Sequence, residues 1–388
     1  MTDYDLYAGI LSELCARKTC HWDRFPPFFI MSIGAHLFNV HNKAKGNAVL
    51  VINGRIADTR LHIMMCAPPG GEKTFWQEQF LLGEQGILND TGIDTGWMGT
   101  ISEAGFVGTL RMENGEKINC PGMCQLKPTA IVGAEEMSAV TESMKTEYAK
   151  TLEPAMLAAL DSGHIVKQLA AGPLDYYTFL TLWGGTQPGR YDLRGGMGRR
   201  FLMIHFVPSA KDWREITLAM RSGINVRFNP PKTDYIRNEI KILREKITTI
   251  EKITWDDAVF KFFDEMKFIS YEEQLYNRML IGYHIMRNKF DHEIHLTLDD
   301  TVLRLMRKEA YYRDSISRGT EYAEVLLILR EHNGCMSLFE LKDELMAFGK
   351  DWNQSARLID DLCRIRAIKK EGDNISLSAH LKRKEEPQ

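Results

Sequence analysis

The chain has 388 residues, 44% of them apolar and 26% charged, with a formal charge of −3 and a pI near 6.4. That length allows two or three domains, and the composition is that of a soluble globular protein, with disorder expected only at the ends. It provides no global basic field, so any nucleic-acid contact must come from local patches, and no apolar run approaches the roughly 18 residues of a membrane span.

The N-terminus Met1-Thr2-Asp3-Tyr4-Asp5 has no basic leader region, so the expectation is an intracellular protein with no membrane partner. Its expected place is the cytoplasm, nucleoid-associated in a prokaryotic cell. Seven cysteines, an odd number, fit reduced thiols. Cys120 and Cys124 could seed a metal site, but no second Cys/His pair lies near them at zinc-finger spacing.

In chain order, residues 4–42 have helical periodicity around a Phe25-Pro26-Pro27-Phe28-Phe29 break and read as a helical lead-in. Apolar runs then predict strands at 48–52, 61–66, 129–132, 178–183 and 201–207, with helical patterns between several of them. This alternation predicts an α/β core with a mostly parallel sheet flanked by helices. From about Asp234 long charged amphipathic helices take over, with few strand signals. The last part predicts three short helices, one capped by Ser337, and then a strand, turn and strand over 367–377. Three helices followed by a β-hairpin is the winged-helix arrangement. The expected division is a core with lead-in at 1–230, a helical lid at 231–318 and a winged helix at 319–384, followed by a loose tail.

The strand predicted at 61–66 runs into Ala67-Pro68-Pro69-Gly70-Gly71-Glu72-Lys73-Thr74. A strand, a small-residue turn and Lys-Thr form a phosphate cradle: loop N–H groups face the phosphates, Lys73 reaches the outer ones and Thr74 ligates Mg²⁺. Pro69, Gly70, Gly71, Glu72, Lys73 and Thr74 are the candidate nucleotide-binding residues. Ala67 and Glu72 occupy the usual glycine positions. A carboxylate at 72 opposes phosphate binding unless it turns to solvent or pairs with a cation.

About sixty residues later an apolar strand ends in Glu135-Glu136. One acid can hold Mg²⁺ and its waters, and the next can polarise an attacking water. Further on, Gln187 follows another strand and could hold that water or contact a terminal phosphate. Arg199-Arg200 precedes the strand at 201–207, and arginine presents a rigid cation to phosphate, including across a subunit interface.

These features in this order resemble the AAA+ ATPases, and more closely the minichromosome maintenance (MCM) helicases. Leu61–Thr74 resembles the family's strand-to-loop segment, where alanine replaces the second glycine before Lys-Ser. Ile101–Thr109 resembles its Ser-Ser-Ala-Ala-Gly-Leu-Thr stretch, and Thr109–Cys120, turning at Asn114-Gly115, resembles the following hairpin. Residues 152–166 are similar to the helix ending in Glu-Gln-Gly-Thr-Ile-Ser. Gln187-Pro188 stands at the family's Asn-Pro, Gly189-Arg190-Tyr191-Asp192 repeats its Gly-Arg-Tyr-Asp, and Arg200-Phe201 falls at its Ser-Arg-Phe-Asp.

The resemblance implies an ATP-driven DNA helicase, ring-shaped and homo-hexameric, using ATP and Mg²⁺ in DNA replication on single-stranded or forked DNA. A fuller MCM or another replication protein is an implied partner. Thr74 and Glu135 would hold Mg²⁺, Glu136 would polarise water, Gln187 would sense the terminal phosphate, and Arg200 would act as the arginine finger, with Arg199 as fallback. Arg111 and Lys117 on the first hairpin and Lys167 near the second would contact DNA; the register puts Ala170 where the family has a lysine at the second tip. Arg278 is a candidate for the lid's sensor arginine. The family's N-terminal DNA-binding domain has no counterpart here, and its Asp-Glu is Glu135-Glu136. The alternative is a catalytically weak or inactive AAA+ adaptor or initiator that binds DNA or a partner helicase.

Overall fold

The computed structural model describes residues 4–17, 20–144, 151–187, 196–206, 208–221, 230–317, 320–347, 350–364 and 366–378. Pro188-Gly189-Arg190-Tyr191-Asp192 and the tail after 378 lie outside the described residues.

Two lead-in helices, α1 (Leu6–Ala16) and α2 (Pro26–Asn39), precede the sheet. Pro26 and Pro27 open α2, where a missing N–H costs nothing, and every residue of α2 is buried. The sheet consists of β1 (His62–Cys66), β2 (Thr95–Met98), β3 (Ile131–Ala134), β4 (Thr181–Thr186) and β5 (Phe201–His205), all parallel, in the order β5-β1-β4-β3-β2. This is an α/β core with helices on both faces, as the alternating pattern predicts.

The strand period of two sorts side chains onto two cores. Ile63, Met65, Trp183, Leu202 and Ile204 join one cluster; Met64, Cys66, Leu182, Phe201 and Met203 join the other. On the first face α2 lies against the sheet: Phe29 stacks on Trp183 at 4.3 Å, and the Trp183 indole donates to Ser32 Oγ at 2.8 Å. Each fully buried side chain of this size contributes about 1.5–3 kcal/mol.

Two differences from the sequence expectation have local causes. The run at 48–52 does not join the sheet. Asn53 and Gly54 both take positive φ (51° and 73°), so Val51–Ile52 folds back on Arg55–Ile56 as a small antiparallel ribbon. Strand β2, absent from the prediction, is a four-residue edge strand with three half-buried positions, one of them glycine, and lacks a strong apolar signal.

After β5 come α4 (Ala210–Arg221), α5 (Pro230–Lys246), α6 (Asp257–Met266), α7 (Ser270–Arg287) and α8 (Asp300–Ser317). A parallel pair, Lys252–Trp255 with Glu293–Leu296, interrupts this helical region. Buried residues of α5 to α8 share one continuous core with α1, α2 and the first sheet face. The closest crossing is α2 on α7. A Cβ placed on Gly282 would lie 1.9 Å from the Met31 carbonyl oxygen, so only glycine permits that approach.

The C-terminal part has its own core. Helices α9 (Thr320–Glu331), α10 (Leu338–Ala347) and α11 (Trp352–Arg364) pack with a three-stranded antiparallel sheet of Cys335–Ser337, Asn374–Leu377 and Ile368–Glu371. Ser337 caps α10 as expected: its hydroxyl accepts the Glu340 N–H at 3.1 Å, and Glu340 accepts the Ser337 N–H at 3.1 Å. Among the described residues no helix is long and apolar enough to cross a membrane.

Candidate functional site

All five strands are parallel, so the loops following β1, β3 and β4 emerge at one edge, where open α/β sheets receive ligands. The β5-β1-β4-β3-β2 order puts the Gln187 strand between the cradle strand and the acid-pair strand. A cleft of about 390 Å³ opens there, lined by Pro69, Gly70, Lys73, Thr74, Gly99, Thr100, Glu135, Glu136, Ala139 and Gln187. Three sequence signals spread over more than a hundred residues thus meet in one cavity.

Close approach of the acid loop depends on β4. A Cβ on Gly185 would sit 2.4 Å from the Glu135 carbonyl oxygen, so a side chain there would push the acids away. Helix α3 (Lys73–Leu81) is tied to the same strands, since the Gln77 amide donates to the Trp183 carbonyl at 2.9 Å and the Ala134 carbonyl at 3.3 Å.

Lys73 is largely buried and donates to the Ala67 and Pro68 carbonyls at 2.6 and 3.2 Å. Burial draws its pKa below the ordinary lysine value, with nearby Cys66, Glu136 and Glu135 opposing. The Gly71 N–H is also satisfied inside the loop, donating to the Pro68 carbonyl at 3.0 Å. Phosphate binding would exchange the carbonyl acceptors of Lys73 for anionic oxygens, and the Gly71 contact for a charge-assisted one. The first-turn N–H groups of α3 face the same edge.

The Thr74 hydroxyl donates to Glu135 Oε1 at 3.3 Å. Adjacent ligands of an octahedral Mg²⁺ with bonds of 2.0–2.1 Å are about 2.9 Å apart, so this pair would close by about 0.4 Å around the cation. Glu136 is held on both oxygens, by the Gln187 amide at 3.0 Å and by the Ser138 hydroxyl. Ser138 was not a sequence candidate; its position two residues after the acid is the local signal that could have found it.

Glu72 is not among the residues that line the cleft. It is the N-cap of α3 in the left-handed conformation (φ 62°), and its carboxylate meets His21 Nδ1 at 3.1 Å. Burial favours the neutral imidazole, but the hydrogen bond and charge of Glu72, and then Asp212, outweigh it and raise the His21 pKa. The Glu72 carboxylate is therefore taken up by a hydrogen-bond partner, one that no local pattern around His21 announces.

Arg200 lies at the other end of the sheet. It precedes β5, whose Phe201 pairs with His62 at the start of β1, a strand's length of roughly 15 Å from the cradle. Arg199, Arg200 and Arg278 line one recess of about 220 Å³ with Asp161. Arg278 donates to the Arg60 carbonyl at 3.3 Å.

The two hairpins are neighbours. The first, Thr109–Glu113 with Glu116–Cys120, turns at Asn114 and Gly115, both at positive φ. Arg111 is exposed and paired with Glu113 at 3.0 Å. Exposed Lys117 leans on the second hairpin, His164–Leu169 with Gly172–Tyr177: a Cβ on Gly172 would come within 2.9 Å of its ammonium. Lys167 is held at 3.1 Å by Glu103, itself bonded to the Thr151 hydroxyl, which ties this cation to the protein surface.

Compared with known proteins, the chain matches no protein-family model and no curated protein.

Proposed function

We propose that the chain is an MCM-like AAA+ ATPase acting on DNA: an ATP-driven helicase that assembles as a ring of identical subunits, a hexamer. The observation carrying this reading is the convergence of Lys73, Thr74, Glu135, Glu136 and Gln187 on one cleft. A phosphate lysine, a hydroxyl beside a carboxylate that could share a magnesium ion, and a second carboxylate oriented by an amide are the parts phosphoryl transfer to water requires.

In this reading Lys73 leaves the Ala67 and Pro68 carbonyls for the outer phosphates, and Thr74 with Glu135 holds Mg²⁺. The cation would neutralise charge on the transferring phosphoryl group. Glu136 accepts a hydrogen bond from the attacking water, and Gln187 holds Glu136 and reads the terminal phosphate. Arg200, facing away from its own subunit's cleft, reaches the cleft of a neighbour. The first hairpin, bearing Arg111 and Lys117, contacts DNA, with Lys167 of the second joining once released from Glu103. Residues 231–318 serve as the lid, and the C-terminal unit as a winged helix with Arg357, Arg366, Lys369 and Lys370 exposed.

The test is steady-state ATP hydrolysis by the purified chain, with and without single-stranded DNA, beside Glu136→Gln. DNA-stimulated turnover that falls about 100-fold or more in the variant is expected. No turnover at any protein concentration would sink the motor and favour a nucleotide-silent adaptor.

A further inference from the structure

We propose that His21, Asp212 and Glu215 form a binding site for a divalent transition cation, Zn²⁺ foremost, separate from the cleft of Lys73 and Glu135. The ligand atoms of the three side chains all lie within 4.8 Å of one another. Asp212 and Glu215 stand three residues apart on α4, one turn of one helix face, and His21 approaches from the loop between α1 and α2.

The spacing suits a small tetrahedral ion. Ligands about 2.0–2.1 Å from zinc are separated by about 3.3 Å along a tetrahedron edge. His21 Nε2 is 3.1 Å from Asp212 Oδ1 and 3.7 Å from Glu215 Oε2, values that bracket this edge. Small rotamer changes would therefore centre an ion among them. One nitrogen and two carboxylates leave a fourth position for water and suit Zn²⁺ better than a hard cation such as Mg²⁺.

A second observation concerns the supporting groups. A metal-bound histidine usually donates its other N–H to a carboxylate, and His21 Nδ1 meets Glu72 Oε2 at 3.1 Å. Asp212 is similarly held, accepting the Ser209 N–H and hydroxyl on Oδ2, both at 2.8 Å, which leaves Oδ1 toward His21. The Phe206 ring packs beside the imidazole at 4.9 Å. The His21 side chain is 6% exposed and Glu215 47%, so the site has a dry floor and an open door. Lys211 lies 3.9 Å from the other Glu215 oxygen and is 85% exposed, a weak competitor.

An ion here would clamp the lead-in loop to α4 and, through Glu72, to the phosphate loop. The experiment titrates metal-free full-length protein, without nucleotide, with Zn²⁺ by calorimetry and with Co²⁺ by visible absorption. One saturable equivalent is expected. His21→Ala should abolish it, Glu72→Gln should weaken it about 10–100-fold while leaving the ligands in place, and Lys73→Ala should leave it unchanged. Glu215→Gln, at a half-exposed helix position, keeps the test decisive should His21→Ala fail to fold, and should weaken binding at least tenfold. Absence of saturable binding, or equal binding by Glu215→Gln and the parent chain, would overturn the site and leave His21 a hydrogen-bonded bridge between carboxylates. Either result is independent of whether the chain hydrolyses ATP.

Discussion

Arg200 Nη2 lies 2.8 Å from Asp161 Oδ2, at the end of the sheet opposite the cleft that holds Lys73. The arginine lies a strand's length from its own chain's cleft, so a role for it in such a cleft would have to be played in another subunit's. The Arg199 and Arg278 side chains line the same recess, which gives such a contact a concentrated positive charge.

Mixing variants checks this. Arg200→Ala alone should lower ATP turnover by about 10³ or more while retaining nucleotide binding. Combined with Glu136→Gln protein, part of the activity should return, because some interfaces pair an intact acid with an intact arginine. Steady-state turnover across mixing ratios is the measurement; no recovery at any ratio would place Arg200 outside the reaction.

The α2–α7 crossing sets a stability prediction. Gly282→Ala introduces a methyl group at 1.9 Å from the Met31 carbonyl, and backbone cannot yield as a side-chain tip can. Overpacking of this kind costs about 1–3 kcal/mol or more. Thermal unfolding of Gly282→Ala should show a clearly lowered midpoint, whereas alanine at Gly46, with open space around it, should have a smaller effect despite its positive φ.

Buried histidines make the fold acid-sensitive. Burial, and then the Arg60 charge, pull the His36 pKa down to about 3, and its Nδ1 lies 2.9 Å from the Thr181 hydroxyl. The unfolded side chain titrates near 6.5. Between these values the unfolded state binds the extra proton, so stability rises with pH and falls as the medium is acidified below about 6.5. At pH 5.5 the loss from this one residue is about 1.4 kcal/mol. Comparing unfolding midpoints at pH 7.5 and 5.5, His36→Gln should lose less on acidification than the parent chain. Equal losses would show that His36 is protonated in the fold.

Four of the five strands expected from apolar runs stand in the sheet, the run at 48–52 being the exception, and Lys73, Thr74, Glu135, Glu136 and Gln187 could be singled out because each sits in a local pattern at a strand end. The three C-terminal helices and the strand pair after them were legible for the same reason, with Ser337 marking a helix start by its cap. The edge strand Thr95–Met98 was not, because an edge strand needs little apolar character and its pairing partner is distant in sequence.

Tertiary structure decided the relations between distant residues. The order β5-β1-β4-β3-β2 brings Gln187 between Lys73 and Glu136, and no local pattern fixes which strands pair. Folding also turned Glu72 away from the cleft and made it the partner of His21, fifty-one residues away. It gathered Arg199, Arg200 and Arg278 at the far end of the sheet and bound Lys167 to Glu103. Each of these outcomes depends on which distant side chain reaches a charge first. Packing sets that distance, while local spacing determines only the kinds of residue available to meet.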